Sequence, residues 1–183
     1  MITVFRLFSP WHDPWDATGA FIRGGRWNSP GTAILYAASS LSLACLEILV
    51  HIRNPNNFPV YAYSQMTIPA DQIEEWESAD PIRSPERRKA IFKSEVLSRE
   101  EGDIWIRGRQ RKTVPHKTYR PGEPSEIEKS SWAPPLPVRQ VPSAVIPEEW
   151  NYLIDPSDDA LRGGWSRPKA FRIDPRLLDP SLR

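Results

Sequence analysis

The amino-acid sequence predicts an α+β fold: one mixed sheet of short strands with a few helices beside it. Three observations point there. Twenty prolines are spread along all 183 residues. Proline lacks an N–H and clashes with the preceding helical turn, so long helices are disfavoured. Several short stretches alternate or run apolar in the manner of strands, and two others carry the helical spacing of apolar residues.

The elements run in order along the chain. Ile2–Phe8 alternates, with Val4, Arg6 and Phe8 on one face and Phe5 and Leu7 about them. Residues 9–18 form a turn-rich loop holding Pro10, Trp11, Pro14 and Trp15. Residues 33–38 read as a short buried strand. Ser39 or Ser40 then supplies the N-cap of a helix over 41–52, which Asn54, Pro55 and Asn57 stop. Residues 58–68 are a strand with Tyr61 and Tyr63 on one face. Residues 84–99 are helical through Ile91, Phe92, Val96 and Leu97, after a Ser84-Pro85-Glu86 start. Strands return at 138–145, 151–154 and 170–173.

Residues 107–120 differ in kind. Arg107, Arg109, Arg111, Lys112, Lys117 and Arg120 occur with no acidic residue, and Glu123, Glu126 and Glu128 come after them. Such a run either touches phosphates or is a solvated insertion.

A net charge of +1 gives no global field that would draw nucleic acid or membrane. The longest apolar run, at 43–50, is too short to span a bilayer. The N-terminus lacks the basic start and apolar core of a signal peptide. The lone Cys45, among Leu43, Ala44 and Leu46, reads as a buried structural thiol. A cytoplasmic protein is expected.

Glu47 is the most informative residue. Its helix carries Leu41, Leu43, Ala44, Leu46, Ile48, Leu49 and Val50, leaving no polar face, and such a helix is expected to be buried. A carboxylate there costs several kcal/mol unless paired or hydrogen-bonded. It is either a functional group or half of a buried ion pair with an arginine. Arg26 lies in Arg23-Gly24-Gly25-Arg26-Trp27-Asn28, where paired glycines admit close approach of a ligand and flanking arginines can fork onto a phosphate. An ordinary turn explains the same residues. Arg6 reads equally as a strand-edge salt bridge, and Tyr36 as core. His12, His51 and His116 have no ligand spacing, so no metal is expected. Neither a P-loop nor a nucleophile elbow is present, and Gly24-Gly25-Arg26 lacks the third glycine of a dinucleotide fingerprint.

Three blocks, taken together, resemble the RES-domain toxin family. The first is Gly24-Gly25-Arg26-Trp27-Asn28, then Ile34-Leu35-Tyr36-Ala37-Ala38, then Leu46-Glu47 ahead of His51. The second is Val141-Pro142-Ser143-Ala144-Val145 with Asn151-Tyr152-Leu153-Ile154-Asp155-Pro156, and the third runs from Phe171 to Leu177. They stand in family order along nearly the whole chain. The resemblance implies an ADP-ribosyltransferase-like fold with a split mixed sheet. It also implies a toxin of a bacterial toxin–antitoxin pair that cleaves the nicotinamide–ribose bond of NAD. ADP-ribose then passes to water or to inorganic phosphate.

Carried over, the catalytic positions are Arg6, Tyr36, Glu47 and Ser143, and the NAD-binding ones Gly25, Arg26, Trp27, Asn28 and Asn151. Tyr36 would stack on nicotinamide, Arg6 and Arg26 would clamp the pyrophosphate, and Ser143 would contact nicotinamide or the acceptor. NAD would be the substrate, with no cofactor, and a helix-turn-helix antitoxin the partner. One domain over 1–183 is expected, with a family-atypical insertion at 107–137. Three other readings stand beside this one: transfer of ADP-ribose to a protein, a catalytically silent interaction module, and a nucleic-acid binder using the basic run.

Overall fold

The computed structural model describes residues 1–52, 59–76, 85–110 and 135–178. Its strands form a single mixed sheet in the order β4-β5-β6-β2-β1-β3-β7. In chain order these are β1 (Ile2–Phe8), β2 (Leu35–Ala38), β3 (Tyr61–Ile68), β4 (Ile73–Glu75), β5 (Val138–Pro142), β6 (Trp150–Ile154) and β7 (Lys169–Phe171). The helices are α1 (Thr18–Arg23), α2 (Leu41–Leu49), α3 (Pro85–Lys93) and α4 (Glu95–Gln110). The predicted α+β class is the one observed. All described strand pairs are antiparallel except β4 with β5.

Alternation places the strands as the sequence suggests. Val4 and Phe8 of β1 are buried, as are Ala62, Ser64, Met66 and Ile68 of β3, while Tyr61 and Tyr63 share the opposite face. One core cluster joins Val4, Leu35, Met66, Ile68 and Ile154 with Trp15. A second gathers Trp27, Trp76, Trp105, Ile106, Val141 and Leu153, with Trp27 and Trp76 edge to face at 5.3 Å.

Several expectations need correction. Residues 85–99 are not one helix: the chain breaks at Ser94, whose hydroxyl accepts the Leu97 N–H at 3.3 Å, and α4 continues to Gln110. Val96 and Leu97, part of the helical pattern, are exposed, and the apolar part of α4's buried face is carried by Trp105 and Ile106. α1 and β4 were not foreseen. Of the basic run, Arg107 and Arg109 close α4 and residues 111–134 lie outside the described residues. Arg109 is not open to phosphate. It meets Asp155 at 2.9 Å, Asp158 at 2.6 Å and the Pro135 carbonyl at 2.8 Å. The proposed helix stop at Asn54, Pro55 and Asn57, and Ser84 of the helix start, also fall outside them. No described helix is long and apolar enough to cross a membrane.

Candidate active site

β1 and β3 are registered along their whole length, from Ile2↔Ile68 to Phe8↔Ala62. β1 meets β2 only at Phe5↔Ala38. Where these two strands part, a cleft of about 400 Å³ opens. Arg6 of β1, Tyr36 of β2, Arg23 and the Gly24-Gly25-Arg26 turn, Glu47 of α2 and Asn151 of β6 line it. The volume falls in the range usual for small-molecule sites.

Glu47 reaches the cleft because Ser40 starts α2, accepting the Leu43 N–H at 3.0 Å. The helix is not buried all round: Leu43, Ala44 and Cys45 face the protein, while Leu46 and Val50 are 36% and 59% exposed. Glu47 itself is half-buried, and none of its hydrogen bonds among the described residues is to an arginine. Instead the Ser143 hydroxyl donates to Oε1 at 2.7 Å and the Asn151 side-chain amide donates to the same oxygen at 2.5 Å. Oε2 carries no hydrogen bond among the described residues. Hydrogen bonds to a charged acceptor of this kind stabilise by about 1.5–3 kcal/mol each. They fix the carboxylate in one orientation.

Ser143 has a task other than the direct ligand contact expected of it. Its oxygen also accepts the Val145 and Ile146 N–H groups, each at 3.0 Å. One donor and two lone pairs exhaust a hydroxyl, so nothing remains for a ligand. Ser143 is fully buried behind Glu47 and positions it.

Tyr36 stands on the cleft wall with its phenol anchored. The hydroxyl donates to Asn28 Oδ1 at 2.6 Å and accepts the Trp27 N–H at 3.0 Å. Burial is the main cause that raises its pKa, opposed by the Trp27 hydrogen bond. Asn28 has no exposed surface, and its amide donates to the carbonyls of Ala20 and Thr32 at 2.9 and 2.8 Å. It braces the turn and does not line the cleft. Gly25 is required by the tyrosine: a Cβ there would lie 2.7 Å from the phenol oxygen. Gly24 has φ +73°, a left-handed conformation that favours glycine, and a Cβ on it would press on the Asn28 carbonyl at 2.9 Å. Trp27 borders the cleft but is almost entirely core.

The two predicted arginines are held by main-chain carbonyls. Arg6 lies on an interior strand, not at an edge, and donates to Tyr36 O at 2.9 Å and Asp16 O at 2.8 Å. Burial lowers its pKa to about 10, against the pull of Asp16, and it stays charged at neutral pH. Arg26 donates through Nη2 to the Phe92 carbonyl and stacks over the Phe92 ring, 5.5 Å from its centroid. Both are ties across the cleft wall rather than open forks.

The sequence profile of the RES domain matches residues 3–164. The chain belongs to the RES domain family. A relative from Sphingobium sp. (strain YBL2), named "Prs ADP-ribosylating toxin", is 31% identical over 168 residues, covering 91% of this chain and 88% of the relative. A "Toxin Res" from Yersinia enterocolitica serotype O:8 is 29% identical over 168 residues, covering 89% and 90%. A chain from the crystal structure of the M. tuberculosis MbcT–MbcA toxin–antitoxin complex superposes with a TM-score of 0.58. It does so at 15% identity, over 97% of this chain and 86% of that one, which is a likeness of fold.

This RES domain braces its cleft with residues that no motif in the sequence marked. Arg99 of α4 donates to Gly25 O at 2.9 Å, and Asp103 accepts the Ser29 N–H at 3.0 Å. Between them Gly102 lets α4 lie against the turn, since a Cβ on it would overlap the Trp27 carbonyl oxygen. The available signal was a glycine inside a helical run, which costs about 1 kcal/mol against alanine and so calls for a packing reason.

Proposed function

We propose that this RES domain degrades NAD by cleaving its nicotinamide–ribose bond, and that it acts as the toxin of a toxin–antitoxin pair. The observation that carries this reading is Glu47: one carboxylate, clamped on a single oxygen by Ser143 and Asn151, in a cleft whose other charged lining is arginine.

Breaking the bond moves its electron pair onto the nicotinamide nitrogen, which is cationic in NAD and leaves neutral. Positive charge develops on the ribose, as in other glycosidic cleavage. A pre-oriented carboxylate stabilises that charge without reorganising. Oε2 is the oxygen left for the sugar. Tyr36, with its hydroxyl tied back, offers its ring to the nicotinamide. Arg6, tied to the carbonyls of Tyr36 and Asp16, adds fixed positive charge to the cleft wall. The acceptor then bonds to the anomeric carbon: water loses a proton and gives ADP-ribose, whereas inorganic phosphate gives a phosphorylated ADP-ribose. In this scheme NAD is substrate and no cofactor enters.

A second reading, transfer of ADP-ribose to a protein, is favoured by the name of the Sphingobium relative. The toxin names of the relatives and the complex in which the M. tuberculosis fold neighbour was solved support a cognate antitoxin for this chain. A helix-turn-helix protein is the form we expect. Adenine-labelled NAD incubated with the chain, with and without phosphate and with and without cell lysate, separates the outcomes. Free ADP-ribose or its phosphate supports degradation, label on protein supports transfer, and intact NAD in every arm contradicts both.

A further inference from the structure

Three arginines line the cleft, and they are not equivalent. Arg6 has given both terminal nitrogens to the carbonyls of Tyr36 and Asp16. Arg26 is turned to the end of α3, bonded to the Phe92 carbonyl and stacked on its ring, with Nε buried and unpartnered. Turning either guanidinium to a ligand would strip part-buried carbonyls of their donors, an unfavourable exchange. Arg23 is different. It is the last residue of α1, exposed, with no hydrogen bond or ion pair among the described residues. Its guanidinium folds back over Gly19, where a Cβ would lie 3.3 Å from Nη2, and Gly19 is itself part of the cleft lining. The free fork therefore lies along the cleft side of α1.

We propose that Arg23 is the side chain that binds the diphosphate of the dinucleotide, with Arg26 holding the cleft wall. The assignment rests on the NAD reading above. A planar guanidinium offers paired N–H donors matched to phosphate oxygens, and this one has no partner to give up. Arg23 and Glu47 come from different walls, α1 and α2, so one end of the ligand is held by charge while the other reacts. Arg6, Arg23 and Arg26 against Glu47 leave the cleft net positive, which suits an anionic diphosphate.

The test uses the full chain carrying Glu47→Gln, which keeps an Oε1 acceptor for Ser143 and Asn151 and allows binding to be read without turnover. NAD and ADP-ribose are titrated calorimetrically into this protein and into versions that add Arg23→Ala, Arg23→Gln or Arg26→Ala. In the Glu47 background, KM and kcat are measured for Arg23→Ala. We expect both Arg23 changes to weaken NAD and ADP-ribose about ten- to a hundredfold, the size of a lost charge-assisted contact. KM should rise with kcat near the parental value. Arg26→Ala should show itself as a lower unfolding temperature. Parental affinity in both Arg23 variants, together with a parental KM in Arg23→Ala, overturns the assignment and leaves the NAD reading standing. Failure of the Arg23-intact protein to bind either ligand overturns the NAD reading itself.

Discussion

Ser143→Ala probes the hydroxyl on which the reacting carboxylate depends. The change removes three hydrogen bonds at once: the one donated to Glu47 Oε1 at 2.7 Å and those accepted from Val145 and Ile146 at 3.0 Å. Two backbone N–H groups are left without a partner beside a position with no solvent exposure. With partial relaxation the stability cost is about 2–4 kcal/mol. For a chain of this size that lowers Tm by roughly 5–15 °C. Glu47 keeps only Asn151, and a carboxylate misplaced by about 1 Å costs on the order of a hundredfold in rate. Differential scanning calorimetry and a nicotinamide-release assay below the lowered Tm read the two effects separately. Asn151→Ala is the companion variant. It removes a single donor from a half-buried residue, so kcat should fall with a smaller change in Tm. Parental Tm and kcat in Ser143→Ala would show that Ser143 does not hold Glu47 in place, because a hydroxyl bonded in this way cannot be lost without changing one or the other.

The remaining contacts carry expectations of their own. Tyr36 has a folded-state pKa raised above its unfolded value of about 10. Its contribution is therefore present below pH 10 and lost as pH climbs beyond, since the unfolded chain then releases the proton that the folded chain keeps. Denaturant titrations should show the parent losing stability between pH 10 and 11.5, roughly, more steeply than Tyr36→Phe; equal slopes contradict this. Arg109→Ala leaves the buried Asp155 without its cation and should cost about 3–5 kcal/mol. KM for NAD should stay unchanged in the folded fraction. Gly102→Ala drives a methyl into the Trp27 carbonyl and should abolish the cooperative transition or shift it by more than the ~1–3 kcal/mol of ordinary overpacking. A parental melting curve would show that α4 does not brace the turn.

Strands marked by alternation or by a short apolar run were legible: β1, β2, β3 and β6 lie where those patterns put them. The Ser40 cap was legible too, because a capping serine acts on its own neighbours. The six-residue α1 was not, since Ala17 precedes it with no side-chain cap and none of its residues is buried. The break at Ser94 left a readable sign, a serine able to cap the first turn of α4, but the apolar spacing ran across it. The burial expected of α2 failed for a general reason. Apolar residues are common on protein surfaces, so Leu46 and Val50 did not show which side faces water.

At the site, the family blocks carried Glu47, Tyr36, Ser143 and Asn151 to one place. Their division of labour was hidden in the fold. Ser143 and Asn151 act on Glu47 from 96 and 104 positions away in the chain. Likewise, which arginine is free depends on carbonyls at Tyr36, Asp16 and Phe92 that no local pattern reveals.

In the proposed reaction the clamped Glu47 carboxylate drives loss of nicotinamide. The most direct measurement is the rate of nicotinamide release from NAD by the purified chain and by Glu47→Gln, at matched folded fraction. Gln preserves an acceptor for both donors but not the charge, so release is expected from the parent and a rate lower by at least about a hundredfold from the variant, on the order of one removed electrostatic stabiliser. Equal rates in the two proteins, or no release by the folded parent, would contradict it.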